Sequence, residues 1–150
     1  MKKCYFAGGC FWCIAGPFYE LVGEDNVISG YSGGNEVNPK YEDVKNQLTH
    51  HKETICIIYD EKEVSLEKLV DIYLLNVDPF DKDGQFIDRG KSYTLALFYN
   101  DDFEFNLYKR KIQELEARHN KKCYIDLIKF DKFYKAEEYQ NELRKSGRLK

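Results

Sequence analysis

Short apolar runs of strand character alternate along this chain with segments of helical spacing, and that alternation restricts the fold to a sheet with helices packed on it. Lys3 to Ala7 reads as a strand ending in Gly8-Gly9, and Trp12 to Glu20 follows as a helix in which Pro17 is tolerated only within the first turn. Val27 to Tyr31 and Ile55 to Tyr59 are further strands, the latter a continuous apolar run suited to the centre of a sheet. After Ser65, an N-cap residue, Leu66, Leu69, Val70 and Tyr73 recur at helical spacing. Tyr93 to Tyr99 reads as a strand, and Asp101 or Asp102 caps a helix carrying Tyr108, Ile112 and Leu115. Cys123 to Phe130 alternates as a strand with Ile125 and Leu127 on one face, and Ala136, Tyr139 and Leu143 mark a last amphipathic helix. The order βαββαβαβα opens with a split βαβ arrangement. The expected fold is therefore α+β, a two-layer mixed β-sheet with packed helices around a ferredoxin-like core.

The 150 residues contain no internal repeat and no low-complexity linker, so a single domain over 1–150 is expected. Two polar loops interrupt the pattern, one between Tyr31 and Ile55 and one from Asp78-Pro79 to Gly90. Long irregular stretches in a small domain usually carry function.

Charge and composition narrow the functional classes. The 23 basic and 26 acidic side chains leave a net charge of −3, and the basic residues are scattered, which argues against nucleic-acid binding. No stretch approaches the roughly 18 to 20 apolar residues that span a bilayer, so no membrane partner is expected. The opening MKKCYFAGGCFWC runs directly into a cysteine-aromatic cluster and reads as the first strand, which points to a cytoplasmic protein. Five cysteines, an odd count, do not form a structural disulfide framework in that compartment.

The thiols then divide by context. Cys10 lies at the start of a helix, where the positive end of the macrodipole lowers a thiol from about 8.5 toward neutrality. Cys4, Cys56 and Cys123 fall in strand segments, where free cysteine behaves as a small hydrophobe. The Cys10-x-x-Cys13 spacing suits disulfide exchange. Zinc would require a second short-spaced pair, which Cys56, Cys123, His50, His51 and His119 do not provide, so no metal is expected. The three histidines default to surface or structural roles. Taken alone, Phe11 and Trp12 read as core aromatics, and Glu53 and Asp88 as solvated loop carboxylates.

GCFW after a glycine, then SGYSGG, NPKYEDV, His51-Lys52-Glu53, GQFIDRGKSY and FYKAEEYQ follow in that order from Cys10 to about Leu143. Together they resemble the peptide methionine sulfoxide reductase A family. The resemblance implies that Cys10 is the nucleophile, that Phe11 and Trp12 hold the substrate methyl group, that Glu53 donates a proton, and that Tyr41, Asp88 and Tyr93 complete the pocket. It also implies reduction of methionine-S-sulfoxide, peptide-bound or free, through a sulfenic acid. It further implies that no cofactor is bound and that an external thiol (thioredoxin, glutaredoxin or glutathione, or dithiothreitol in vitro) restores the enzyme.

Each role has a chemical reason. A sulfoxide sulfur is a soft electrophile that suits a thiolate, but its oxygen leaves only when protonated. A carboxyl near 4.3 is ionised at neutral pH, so Glu53 requires an apolar site that raises it. Tyrosine hydroxyls stabilise charge building on the oxygen, and an aromatic wall contacts the S-methyl group for about 0.3 to 1.5 kcal/mol.

Many relatives place a resolving cysteine in the carboxyl-terminal tail, but residues 141–150 contain none. Cys13 is the nearest replacement, and direct reduction of the sulfenic acid by an external thiol is the alternative. Other departures are Ala15 where the family has glutamate, His50 where it has glycine, and Ser92-Tyr93-Thr94-Leu95 where it has Gln-Tyr-Arg-Ser. Two other functions fit parts of the pattern: a CxxC thiol-disulfide oxidoreductase, and a binding module for methionine-containing peptides that does no chemistry.

Overall fold

The computed structural model describes residues 1–137. The first half runs β1 (Lys2–Ala7), α1 (Phe11–Ile14), α2 (Gly16–Val22), β2 (Val27–Ser32), α3 (Tyr41–Lys45), β3 (Lys52–Tyr59) and α4 (Leu66–Asn76). The second half runs β4 (Gly84–Gln85), β5 (Asp88–Arg89), β6 (Leu95–Tyr99), α5 (Asp102–His119), β7 (Ile125–Lys129) and β8 (Phe133–Lys135). Six strands form one mixed sheet in the order β7-β6-β1-β3-β2-β8, and β4-β5 is a separate miniature hairpin. All neighbours in the large sheet are antiparallel except β6 and β7, with β3 inserted between β1 and β2. The architecture is α+β.

Strand alternation decides which side chains meet the helices. Cys4 and Phe6 of β1, Ile55 and Ile57 of β3 and Leu95 and Leu97 of β6 share one face and pack with Phe18, Leu69, Val70, Tyr73 and Tyr108. The other face is lighter and carries Ala7, Ala96 and Phe98 against Tyr5, Ile128 and Phe130. Two buried tyrosines fasten helices to strand ends, with the Tyr73 hydroxyl donating to the Ala7 carbonyl at 2.6 Å and that of Tyr108 to the Phe98 carbonyl at 3.1 Å. The helix caps are those expected: Ser65 accepts from the Lys68 amide at 3.1 Å and Asp101 from the Glu104 amide at 2.9 Å.

Four local expectations are corrected. The helix expected over Trp12 to Glu20 is two helices that divide at Ala15, because Pro17 is confined to a first turn and a new helix must begin at Gly16 to accommodate it. Tyr93 belongs to a 3₁₀ turn over Lys91–Tyr93 that precedes β6. β3 starts at Lys52 rather than Ile55, so part of the first polar loop is buried strand, and α3 occupies its middle. Finally, the last predicted helix does not begin at Ala136: a short strand, β8, lies just before it, with Phe133 and Tyr134 paired to β2. Ala136 follows that strand, while Tyr139 and Leu143 lie outside the described residues.

Candidate active site

β1 ends in a tight reversal that only glycines permit. Gly9 has φ +88, and a Cβ there would come within 2.7 Å of Gln85 Cβ. The reversal delivers Cys10 to the N-cap of α1, where the Cys13 amide donates to the Cys10 carbonyl at 3.0 Å and closes a turn. The next amide, that of Phe11, donates to Glu53 Oε1 at 3.1 Å. Glu53 stands opposite Tyr31 in the β2–β3 ladder and points to the helix-bearing face. The nucleophile candidate and the acid candidate are thus joined through one peptide unit, although 42 residues separate Phe11 from Glu53.

Glu53 is 1% exposed, and its Oε2 makes no hydrogen bond to a described residue. Burial pushes its carboxyl up to about 8, opposed by the Phe11 amide and reinforced by the negative Asp88. The Tyr93 hydroxyl lies near enough to favour the carboxylate without reaching hydrogen-bond geometry at Oε2. The same surroundings raise both tyrosines: burial and the Glu53 charge push Tyr41 to about 12 and lift Tyr93 further. Both phenols are therefore proton-bearing donors at neutral pH.

The aromatic wall is layered. Phe11 is fully buried, and its ring lies 5.9 Å from Tyr31 and 6.2 Å from Tyr41. Trp12 is 36% exposed and stacks on Tyr41 at 5.9 Å and 15°. Phe11 supports from beneath, while Trp12 and Tyr41 present the accessible surface.

The thiols depart from the sequence expectation. α1 is only four residues long, so its dipole is weak, and the stronger neighbour of Cys10 is Cys13. The close approach of the two thiols pulls Cys13 down to about 7, whereas the same approach, burial and the Glu53 charge push Cys10 up. Only the Trp12 amide pulls Cys10 down. The two thiols titrate as a coupled pair, with Cys13 the one pulled toward neutrality.

Several contributors were not singled out from the sequence. Glu137 accepts from the Tyr31 hydroxyl at 3.2 Å and from the Tyr41 amide at 3.1 Å, binding the end of the described chain to the aromatic wall. Gln47 clasps Ser92 through its amide nitrogen on Oγ at 2.7 Å and its oxygen on the Ser92 amide at 3.1 Å, which fixes the turn bearing Tyr93. Lys52 is 5% exposed and donates to Thr94 Oγ1, with Asp126 at 3.9 Å. An ammonium therefore stands behind the Tyr93 turn although Thr94 itself is uncharged. Partners at such sequence separations leave no local signal.

Other residues take the structural roles expected of them. His51 is buried, accepts from the Gly34 amide at Nδ1 and donates from Nε2 to the Glu36 carbonyl at 2.8 Å, which fixes its tautomer. His50 meets the Glu36 carboxylate at 2.7 Å, and His119 lies edge-on to Phe80 at the far end of α5. Ala15 is fully buried between α1 and α2, and Cys4, Cys56 and Cys123 are buried. Among the described residues, no three of His, Cys, Asp or Glu converge as a metal-ligand set, and no helix is long and apolar enough to cross a membrane.

Residues 2–147 match the sequence profile of the family described as Peptide methionine sulfoxide reductase. A Listeria monocytogenes serotype 4b protein named Peptide methionine sulfoxide reductase MsrA is 41% identical over 147 residues, covering 97% of this chain and 83% of its own. The crystal structure of Mxr1 from Saccharomyces cerevisiae in reduced form superposes with a TM-score of 0.87 at 25% identity, covering 97% of this chain and 86% of the yeast chain. Mxr1 in complex with Trx2 has the same fold, with a TM-score of 0.62 at 19% identity over 94% of this chain and 84% of the other.

Proposed function

The chain belongs to the peptide methionine sulfoxide reductase family, and from that premise we propose that residues 1–150 act as one catalytic domain reducing methionine-S-sulfoxide to methionine, with Cys10 as nucleophile and Glu53 as acid. The observation that carries this reading is the hydrogen bond from the Phe11 amide to Glu53. It ties a buried carboxyl to the amide that follows Cys10.

As the Cys10 sulfur attacks the sulfoxide sulfur, its proton passes to the Cys13 thiolate, the thiol pulled down to about 7. Glu53, raised to about 8 and so neutral at pH 7, supplies the proton that the departing oxygen needs. Tyr41 and Tyr93 donate hydrogen bonds as negative charge gathers there, with Asp88 helping to keep Glu53 protonated. Trp12 and Tyr41 face the S-methyl group, and Phe11 underlies them. The balance is sulfoxide plus Cys10 thiol giving thioether plus Cys10 sulfenic acid, two electrons passing from the cysteine to the substrate.

Cys13 then attacks the sulfenic sulfur, forming a Cys10-Cys13 disulfide and releasing water. Their separation by one closed turn keeps the two sulfurs within bridging reach. An external dithiol of the thioredoxin type returns two electrons and two protons; glutathione or a glutaredoxin is the competing donor, and no bound cofactor enters the cycle. All five thiols are unpaired, as suits a cytoplasmic enzyme resting in its reduced form.

The test is methionine formation from methionine-S-sulfoxide with dithiothreitol. Cys10→Ser abolishes it. Cys13→Ser forms one equivalent of methionine but recycles poorly with thioredoxin; full-rate recycling would instead assign the second step to an external thiol. Exchange of protein disulfides without sulfoxide turnover would favour the CxxC oxidoreductase.

A further inference from the structure

The miniature hairpin carries a feature that the chemistry at Cys10 does not use. β4 and β5 are joined by the two-residue turn Phe86-Ile87, with Gln85 paired to Asp88. A two-residue hairpin turn whose first residue has positive φ is ordinarily built with glycine there, because a side chain crowds the backbone. Here Phe86 holds that position at φ 55. Packing does not offset the strain, since Phe86 is 67% exposed and Ile87 is 93% exposed.

The tip is nonetheless firmly mounted. The Gln85 side chain accepts from the Asp78 amide at 2.7 Å and donates to the Asp78 and Gly84 carbonyls, both at 2.8 Å. The Gly90 amide reaches the Asp83 carbonyl at 2.9 Å, and Arg89 is paired with Asp81. Phe86 also borders the same small cleft as Cys10, Cys13 and Asp88. A rigid arm thus holds two apolar side chains in water at the rim of the reactive sulfur.

We infer that the Phe86-Ile87 tip is a docking surface for the polypeptide that carries the oxidised methionine, and that it receives an apolar residue flanking the sulfoxide. This rests on the reductase reading and adds a substrate class to it. When a methionine sulfoxide side chain reaches Cys10, its backbone stays outside at the level of the rim. A free amino acid offers that rim an ammonium and a carboxylate, which gain nothing from Phe86 or Ile87. A peptide offers an uncharged main chain and neighbouring side chains that cover them. Covering about half of one such side chain is worth roughly tenfold in affinity.

The experiment compares kcat/KM for free methionine-S-sulfoxide and for two peptides, one with leucine and one with aspartate flanking the sulfoxide, all with dithiothreitol. The unaltered chain is expected to favour the leucine peptide over the aspartate peptide about tenfold. Ile87→Asn lowers the ratio of leucine-peptide to free-substrate kcat/KM about tenfold, mainly through KM. Phe86→Gly, which supplies the residue this φ suits and so keeps the fold, does the same. If the ratio does not move in either variant, the tip is not a substrate surface. A loss confined to recycling by thioredoxin would hand the tip to the reductant and overturn the proposal equally. Turnover of any of the three sulfoxide substrates by the unaltered chain separates the two readings. Its absence refutes the reductase and the tip together; its presence with an unmoved ratio refutes the tip alone.

Discussion

The two ends of the β1–β3 pair differ in a way that volume alone would misreport. Where β1 begins and β3 finishes, a cavity of about 650 Å³ opens beside Lys2, Tyr59, Ser65, Asp101, Phe103 and Arg110. Where β1 finishes and β3 begins, the cleft at Cys10 and Cys13 holds only about 60 Å³. Key polar groups of the large cavity have partners: Ser65 and Asp101 cap helices, and Arg110 meets Glu67 at 3.5 Å and Glu114 at 3.1 Å. At the small end a buried carboxyl keeps one oxygen without a partner among the described residues, and two neighbouring thiols shift in opposite directions. Reactivity follows unmet electrostatic demand rather than room.

The sharpest way to break the contrast is Glu53→Gln, which keeps an acceptor for the Phe11 amide but removes the proton supply. We expect kcat for methionine release at pH 7 to fall about 10² to 10⁴-fold. A variant that turned over normally would remove the acid from the mechanism.

The same residue makes stability depend on pH. A carboxyl whose folded value, about 8, lies above its unfolded one holds its proton more tightly in the folded chain. Stability is therefore full below about 4.3 and declines as pH rises toward about 8, by on the order of a few kcal/mol. Urea melts across that window should show the decline in the unaltered chain and flatten it in Glu53→Gln. Parallel curves would mean that the carboxyl is not strained by burial.

Glu137→Ala removes the acceptor shared by the Tyr31 hydroxyl and the Tyr41 amide. Loss of about tenfold in kcat/KM is expected from misplacing the Tyr41 ring. Glu137→Gln, which retains an acceptor, should recover most of it, whereas a merely structural loss would lower stability and leave the kinetics of the folded fraction intact. The smallest effect belongs to the large cavity. Arg110→Gln breaks exposed pairs and should move Tm by no more than a few degrees, with turnover unaltered. A strong fall in activity would show that the two ends communicate.

The elements were readable wherever apolar periodicity was strong, as in β1, α4 and β6. Reading failed where polar residues are buried. Lys52 and Glu53 ended the apparent strand at Ile55 because charge ordinarily signals solvent, yet each is enclosed with a distant partner. The convergence of Cys10 and Glu53 was visible only through the order of family motifs. Glu137 lay inside the motif FYKAEEYQ, but its role was not visible, because its bond to Tyr31 spans 106 positions. The opposite shifts of Cys10 and Cys13 escaped for another reason: spacing shows that two thiols are neighbours, but burial and the Glu53 charge, which push Cys10 up, come from distant parts of the chain.

The bond from Glu137 to the Tyr41 amide has a consequence for biosynthesis. The ribosome delivers the chain from its amino terminus, so both thiols and the acid emerge well before the carboxylate that orients their tyrosine. A nascent chain halted after β7 carries every reacting atom but not the acceptor that holds the Tyr41 amide, so full competence is expected only with the closing edge of the sheet.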